Sequence, residues 1–384
     1  MKSWKILVSA LSAALVMVGC GGGGSSSTTT VPFFKSVKVV GDSLSDSGTF
    51  SGPSGPVKFA MQGNAANPMK VWTELVAEAY GAPALCSFYQ GNIATFAVAA
   101  GATSSACNNY AVGGAKINSE AGPTSPFSIP KQLADLATKP YVAGDLLLVD
   151  GGGNDVAAVT TAFLDPTGST ATFVALTSTL LGNSTVVSVM TANTATGAVT
   201  VGVLYMEALA DKLFDAVTTQ ALNKGANNVL VLNVPDITGT PRFVAVLASV
   251  SAAYGGGPAG ATASAQVKGV IGLWIQKFNA RLTTKFAGNS KVAIADFYSD
   301  IQAKIATPAN FGLTNITDTA CPSTSTVVTC TADSLTALTP PAGATGGVNW
   351  WKTYYFSDGF HPSIKGYQLL AADVLARLAA VGWK

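Results

Sequence analysis

Short runs of mostly apolar residues recur along the chain, and each is followed by glycine, proline or aspartate. The runs are Val37–Val40, Leu146–Val149, Val229–Val234 and Val292–Ala295. Runs of this length are typical of strands that are buried on both faces of a parallel sheet.

Apolar residues at helical spacing lie between these runs. One face of residues 203–222 carries Met206, Leu209, Leu213 and Val217. Residues 69–80 contain a shorter set, which is Trp72, Leu75 and Val76. A last predicted helix, after Pro362, has an apolar face that includes Ile364, Leu370, Val374 and Leu378. Strands that alternate with helices predict an α/β protein with a doubly wound sheet.

Two stretches break this alternation. Residues 157–200 are rich in Thr, Ala, Ser and Val, and residues 307–347 are rich in Thr, Pro and Ala. We expect both to be insertions into a single domain that spans residues 36–384, because one α/β domain with insertions can reach this length. Such insertions would edge or cover a functional site.

The N-terminus has the order of a bacterial export signal. Two lysines precede an apolar stretch, residues 6–18, that is too short to span a bilayer as a stable helix. Gly19 and Cys20 then complete a lipobox-like sequence. We therefore expect residues 1–20 to be a signal whose Cys20 carries lipid, followed by a flexible Gly/Ser/Thr linker at 21–35. The alternative is an ordinary cleaved signal without lipidation.

The composition agrees with export. Only 11% of the residues are charged, against about 25% in typical soluble proteins. The net charge of +2, with no basic run, is too small to attract nucleic acid. We expect no nucleic-acid partner and attachment to a membrane through the N-terminal lipid. The protein would be an outer-membrane lipoprotein, periplasmic or on the cell surface, or otherwise secreted; its oligomeric state is not predicted.

Five cysteines, an odd number, suit this interpretation. If Cys20 carries lipid, four remain, which are Cys86, Cys107, Cys321 and Cys330. Three pairings are open, and joining Cys86 to Cys107 and Cys321 to Cys330 closes the shortest loops. We favour this pairing over the other two and over four free buried thiols, because export usually leads to an oxidising compartment.

Candidate chemistry lies in turns of the kind that bind ligands at the strand ends of open α/β sheets. Ser43 follows the first strand, where its hydroxyl can lie beside the N–H groups of a helix N-terminus. Gly113 and Gly114 lack Cβ atoms and let a backbone N–H approach a ligand closely. Asn154 follows three glycines and can point its amide into the cleft. Taken alone, each segment is more typical of an ordinary turn.

The single histidine, His361, lies three residues after Asp358. At that spacing the carboxylate can reach Nδ1 of the imidazole, which fixes the tautomer and leaves Nε2 free to accept a proton. Pro362 suits the first position of the last helix and would hold His361 at its start. A lone histidine is also compatible with a structural role.

Together, four segments resemble the four sequence blocks of the SGNH/GDSL hydrolase family, in the family's order. They are Gly-Asp-Ser-Leu at 41–44, Asn-Tyr-Ala-Val-Gly-Gly-Ala at 109–115, Gly-Gly-Asn-Asp at 152–155 and Asp-Gly-Phe-His-Pro at 358–362. Residues 231–237, 240–241 and 278–279 also look like the bacterial secreted esterase and phospholipase branch. The resemblance extends from about residue 37 to residue 384.

The resemblance implies a three-layer α/β/α flavodoxin-like fold with a parallel central sheet. It also implies a catalytic triad. In this triad Ser43 attacks an ester carbonyl, His361 accepts the proton of Ser43, and Asp358 orients His361.

The oxyanion hole is implied in the same way. It would consist of the backbone N–H groups of Ser43 and Gly114 and the side-chain amide of Asn154. We choose Gly114 over Gly113 because the family's oxyanion glycine lies five residues after the asparagine of its block.

The implied function is hydrolysis of small-molecule or lipid acyl esters by a carboxylesterase or lipase-like enzyme. Alternatives with the same chemistry are phospholipase A or acyltransferase action on glycerophospholipids, and removal of acetyl groups from carbohydrates. A non-catalytic surface binding protein is an alternative of a different class. No metal and no cofactor is expected. Residues 255–260 match a dinucleotide-binding fingerprint, but they follow no clear strand, and we interpret them as a loop.

Overall fold

Four parallel strands form the central sheet of the structure, a computed structural model that describes residues 34–165 and 167–383. The strands of the chain are β1 (Ser36–Val40), β2 (Phe50–Gly52), β3 (Gly55–Val57), β4 (Tyr89–Asn92), β5 (Ala97–Thr103), β6 (Asp145–Val149), β7 (Val229–Leu232), β8 (Val292–Ala295), β9 (Asn315–Thr319) and β10 (Tyr354–Phe356). The α-helices are α1 (Trp72–Ala79), α2 (Ile129–Leu136), α3 (Gly153–Phe163), α4 (Ala171–Leu181), α5 (Asn183–Ala192), α6 (Gly197–Gln220), α7 (Pro241–Ala253), α8 (Gly257–Phe286), α9 (Phe297–Ala306), α10 (Ala332–Ala337) and α11 (Ile364–Ala380). The export signal, Cys20 and most of the linker lie outside the described residues.

The central sheet has the order β1-β6-β7-β8. Residues 108–112 run along the free edge of β1 and act as a further short strand. There the N–H of Val39 donates to the carbonyl of Asn108 (2.9 Å), and the N–H of Tyr110 donates to the carbonyl of Val39 (2.8 Å). With this segment counted second along the chain, the order in space becomes 2-1-3-4-5, which is the flavodoxin-like order. The predicted parallel flavodoxin-like sheet is confirmed.

The side chains of these strands alternate between two hydrophobic cores. One core, shared with α1, α9 and α11, contains Val37, Val39, Leu146, Leu148, Leu230, Leu232, Ala293 and Ala295. The opposite core, shared with α2, α3, α6 and α8, contains Val40, Leu147, Val149, Val229 and Val231. Because helices cover both faces, the strands are apolar almost throughout and the fold has three α/β/α layers.

A second sheet, with the order β3-β2-β4-β5, was not predicted. Its strands β2 and β3 are three residues each and contain glycine and proline, so they carry no alternation that would reveal them. The disulfide between Cys86 and Cys107 joins the two ends of the segment that contains β4 and β5. A disulfide between Cys321 and Cys330 closes a loop after β9. These are the two pairs that the sequence favours.

The two stretches interpreted as insertions are built differently. Residues 157–200 are mostly helical, and Phe173 and Val186 reach the core. Residues 307–347 contain α10 and β9, which pairs in parallel with β10. None of the helices in the described residues combines the length and apolar character needed to cross a bilayer.

Two local interpretations are wrong. Residues 257–260 are not loop, because α8 begins at Gly257 with Pro258 in its first turn, where a missing N–H costs nothing. Pro362 is not the first helical residue, because Ser363 caps α11 by accepting the N–H of Gly366 (3.1 Å) on its Oγ. Pro362 therefore lies just before the cap.

Candidate active site

The functional segments meet at the carboxyl ends of the parallel strands. Ser43 lies in the turn after β1, and Asn154 is the second residue of α3, the helix that follows β6. Gly152 precedes α3 with φ of +105°. A Cβ atom there would lie 2.7 Å from the side chain of Val234, so this turn requires glycine both for its conformation and for its packing against the loop after β7.

Ser43, His361 and Asp358 form a continuous hydrogen-bonded chain. Nε2 of His361 lies 2.9 Å from Oγ of Ser43. Nδ1 of His361 lies 3.0 Å and 2.9 Å from the two carboxylate oxygens of Asp358. Ser43 is buried, and the imidazole is only 15% exposed. The geometry is that of a hydroxyl nucleophile, a base and an orienting carboxylate.

Asp358 also shapes the loop that carries the histidine. Its Oδ1 accepts the backbone N–H groups of Phe360 and His361, both at 2.8 Å. The N–H of Ser357 donates to the carbonyl of His361 at 2.9 Å and closes the turn. One carboxylate thus fixes both the backbone and the ring of His361.

The charges of this site favour a protonated imidazole. Burial lowers the pKa of His361, but the charge of Asp358, its hydrogen bond and the charge of Asp42 outweigh burial, so the pKa lies above its ordinary value of 6.5. Burial raises the pKa of Asp358, but the charge of His361 and the hydrogen bonds from the ring and the loop outweigh it and lower that pKa. An imidazolium formed during a reaction would therefore be stabilised.

The two glycines after Val112 differ in their hydrogen bonds. The N–H of Gly113 donates to Oδ2 of Asp46 at 2.9 Å. A Cβ atom on Gly113 would lie 1.9 Å from the ring of Phe59, so the ring requires glycine there. Among the hydrogen bonds of the described residues, none uses the N–H of Gly114 or of Ser43. These two N–H groups therefore remain available to a ligand.

The Asn154 amide lies next to the turn that carries Ser43. Its Nδ2 donates to the carbonyl of Ala115 (3.1 Å) and lies 3.3 Å from Oδ2 of Asp42. Both amide hydrogens thus have acceptors. Donation to an oxyanion requires one of these bonds to be given up, and the longer bond to Asp42 is the weaker of the two.

Sequence reasoning missed a pair of buried acids, Asp42 and Asp150, next to Ser43. The backbone N–H of Asp42 donates to Oδ1 of Asp150 at 3.3 Å, and both side chains are buried. Burial raises the pKa of both carboxyls, and the charge of Asp42 raises that of Asp150 further. Oδ2 of Asp150 has no hydrogen-bond partner among the described residues. An aspartate within two residues of the end of each of two adjacent strands was a usable signal.

A groove leads away from Asn154. It has a volume of about 830 Å³ and is lined by residues of α3 and α4, including Ala157, Ala158, Thr161 and Leu176, and by Arg242. Arg242 is exposed, and its backbone N–H donates to the carbonyl of Gly359 at 2.8 Å. This contact ties the start of α7 to the histidine loop.

No group of three or more His, Cys, Asp or Glu side chains in residues 34–165 and 167–383 is arranged to hold a metal ion.

Comparison with known proteins identifies the family of this chain. Residues 37–374 match the family described as GDSL-like Lipase/Acylhydrolase. The curated proteins contain no match. Among solved structures, the chain is similar to an extracellular lipase from Streptomyces rimosus, with 14% identity, 89% of this chain and 99% of that chain covered, and a TM-score of 0.39. It is also similar to a phospholipase A1 from Streptomyces albidoflavus, with 16% identity, coverage of 90% and 99%, and a TM-score of 0.38. Because the family match covers most of its length, the chain belongs to the GDSL-like lipase/acylhydrolase family and is an ester-hydrolysing enzyme.

Proposed function

We propose that the protein is a carboxylesterase or lipase-like hydrolase of acyl esters that uses Ser43, His361 and Asp358 as its catalytic triad. The observation that carries this proposal is the chain of contacts from Ser43 Oγ through His361 to Asp358, at 2.9 Å and 2.9–3.0 Å.

In the first half of the reaction, Oγ of Ser43 attacks the ester carbonyl carbon while Nε2 of His361 accepts the hydroxyl proton. The carbonyl oxygen becomes an oxyanion, bound by the N–H groups of Ser43 and Gly114 and by the Asn154 amide. When the tetrahedral intermediate collapses, the alcohol leaves with the proton from Nε2. Ser43 then carries the acyl group.

In the second half, His361 takes a proton from water, and the resulting oxygen nucleophile attacks the acyl carbon. Collapse releases the carboxylic acid, and the proton returns from Nε2 to Oγ of Ser43. Asp358 keeps Nδ1 protonated and stabilises the imidazolium in both halves.

The proposal is tested by hydrolysis of p-nitrophenyl butyrate. Ser43→Ala should fold normally and lose turnover on the order of a millionfold. The matched control is Ser51→Ala, which removes an exposed hydroxyl from β2 and should leave turnover unchanged. If folded Ser43→Ala kept near-normal turnover, the triad would be wrong. If the wild-type protein hydrolysed no ester, the proposal would be wrong and a non-catalytic binding protein would be the better interpretation.

A second candidate is phospholipase A or acyltransferase action on glycerophospholipids. Arg242 favours it, because this exposed side chain lines the groove beside Asn154. None of the ion pairs between described residues includes Arg242. A free guanidinium matches the geometry of a phosphate group. Arg242→Ala should then lower activity on an anionic phospholipid more than activity on p-nitrophenyl butyrate, and equal losses would exclude the candidate.

We further propose that the enzyme is exported and held at the outer membrane by lipid on Cys20, with residues 21–35 as a tether. The two disulfides support export, because such bonds persist in oxidising compartments. The lipobox-like sequence before the linker supports the anchor.

A further inference from the structure

Phe96 has an unusual backbone conformation. Among the residues that the structure describes, it is the one non-glycine residue with positive φ, at +46°. A side chain with a Cβ atom is strained in this region, and aromatic residues rarely occupy it. The ring of Phe96 is also 47% exposed, so burial of the ring does not fully account for the strain.

The ring of Phe96 ends a row of aromatic side chains that starts at the catalytic histidine. The ring centres of Phe59 and His361 are 5.8 Å apart, and those of Phe59 and Phe96 are 6.1 Å apart. Phe96 also stacks on Phe50 at 4.9 Å and lies 5.7 Å from Phe127. These contacts hold the exposed ring in one place.

The row borders the candidate oxyanion hole. A Cβ atom on Gly114 would lie 3.2 Å from Cζ of Phe96 and 4.0 Å from the ring of Phe127. If the N–H of Gly114 binds the carbonyl oxygen, the carbons of the acyl chain begin beside these rings.

The turn that carries Phe96 explains how the ring reaches this position. The N–H of Phe96 donates to the carbonyl of Ile93 (3.3 Å), and the N–H of Ala94 donates to Oδ1 of Asn92 (2.8 Å). Glycine or asparagine would fit such a left-handed position with less strain. Strain kept beside a reactive site is a signal of function.

We propose that Phe96 is a specificity-determining residue whose ring, with those of Phe59 and Phe127, binds the first carbons of the acyl chain. The preferred substrates are then esters of aliphatic acids of several carbons, and acetyl esters are poor substrates. The inference rests on the proposed function, because it assumes that Ser43 and Gly114 act on the ester carbonyl.

The test compares kcat/KM for p-nitrophenyl acetate and p-nitrophenyl octanoate, with the octanoate below its micellar concentration. In Phe96→Gly, the octanoate-to-acetate ratio of kcat/KM should fall about tenfold, because octanoate loses more apolar contact with the ring than acetate does. In Phe96→Leu this ratio should fall less than in Phe96→Gly. The leucine variant also provides the test if the glycine variant does not fold. The control is Tyr254→Ala, which removes an exposed aromatic ring at the C-terminal end of α7 and should leave the ratio unchanged.

An unchanged ratio in folded Phe96→Gly or Phe96→Leu would overturn the inference. A fall in the ratio that appears only when octanoate is assayed above its micellar concentration would also overturn it, because the ring would then bind a lipid surface. Failure of the proposed function has a different signature, which is retained hydrolysis in Ser43→Ala.

Discussion

The backbone N–H of Gly113 donates to Oδ2 of Asp46 at 2.9 Å, and this bond ties the glycine pair to the turn that carries Ser43. Asp46 also accepts the N–H groups of Gly48 (2.9 Å) and Thr49 (2.6 Å) on its other oxygen. Both carboxylate oxygens are therefore in use. The side chain positions the two loops that supply Ser43 and Gly114.

Asp46→Asn should lower the free energy of unfolding by about 1–3 kcal/mol. An amide has one acceptor oxygen, so at least one buried N–H loses its partner. Urea unfolding of both proteins at pH 7 measures the difference. Equal stabilities would show that the loops are held together by other contacts.

The same pair of proteins gives a pH test. Burial raises the pKa of Asp46 to about 6, above the value of about 3.9 expected in the unfolded chain. The folded state therefore binds the proton more tightly, and this contribution to stability is full below about pH 4 and is lost as the pH rises through about 6. Asn does not titrate. The stability of wild type relative to Asp46→Asn should thus fall between pH 4 and pH 6, and a rise over that range would contradict the raised pKa.

Activity should follow the titration of His361. The imidazole must be neutral to accept the proton of Ser43, so kcat/KM should fall tenfold per pH unit well below its pKa. The pKa is raised above 6.5, chiefly by Asp358 acting against burial. Asp358→Asn should shift the bend to lower pH and reduce kcat by up to about 10⁴-fold through loss of tautomer control. The chain contains one histidine, so a profile that is flat from pH 8 to 4.5 would exclude His361 as the base.

Asn154→Ala should lower kcat by about 100- to 1000-fold with little change in KM, because the amide acts on charge that develops in the transition state. In wild type the amide must give up its hydrogen bond to Asp42 or to Ala115 before it binds the oxyanion. This cost makes the loss of kcat in Asn154→Ala slightly smaller. Steady-state kinetics separate the two constants. A raised KM with unchanged kcat would make Asn154 a substrate-binding residue instead.

The buried acid pair gives a prediction with an isosteric control. Burial and the charge of Asp42 raise the pKa of Asp150 well above its ordinary value, which favours the neutral carboxyl. Asp150→Asn should therefore preserve stability and activity at neutral pH, since an amide supplies both an acceptor and a donor. Asp150→Leu should be destabilised by about 1–3 kcal/mol, because the N–H of Asp42 loses its acceptor. Thermal unfolding compares the stabilities of the two variants. If Asp150→Asn lost as much stability as Asp150→Leu, the ionised form of Asp150 would be the one that stabilises the fold.

The central sheet was predictable because buried parallel strands leave continuous apolar runs, as in Leu146–Val149. The candidate site segments were predicted from the resemblance of four segments, in order, to the blocks of one family, because a position after a strand or before α11 alone is also typical of an ordinary turn. The partner of Gly113 was not predictable, because Asp46 lies 67 residues away in the chain and no local pattern joins them. The position of Phe96 was hidden for a similar reason. Its role depends on a backbone conformation that its residue type disfavours, and sequence propensity argues against the conformation that the tertiary contacts stabilise.

Ser43 and His361 are 318 positions apart in the chain, and this distance has a consequence for biosynthesis. On the proposed mechanism, a nascent chain has its nucleophile near the start and lacks its base until the last helix has been made and has docked against the sheet. A ribosome-bound or prematurely terminated product that ends before residue 361 would be inert toward the lipids of the cell that makes it. On that mechanism, the order of the motifs would delay hydrolytic activity until residue 361 has been made and its helix has docked.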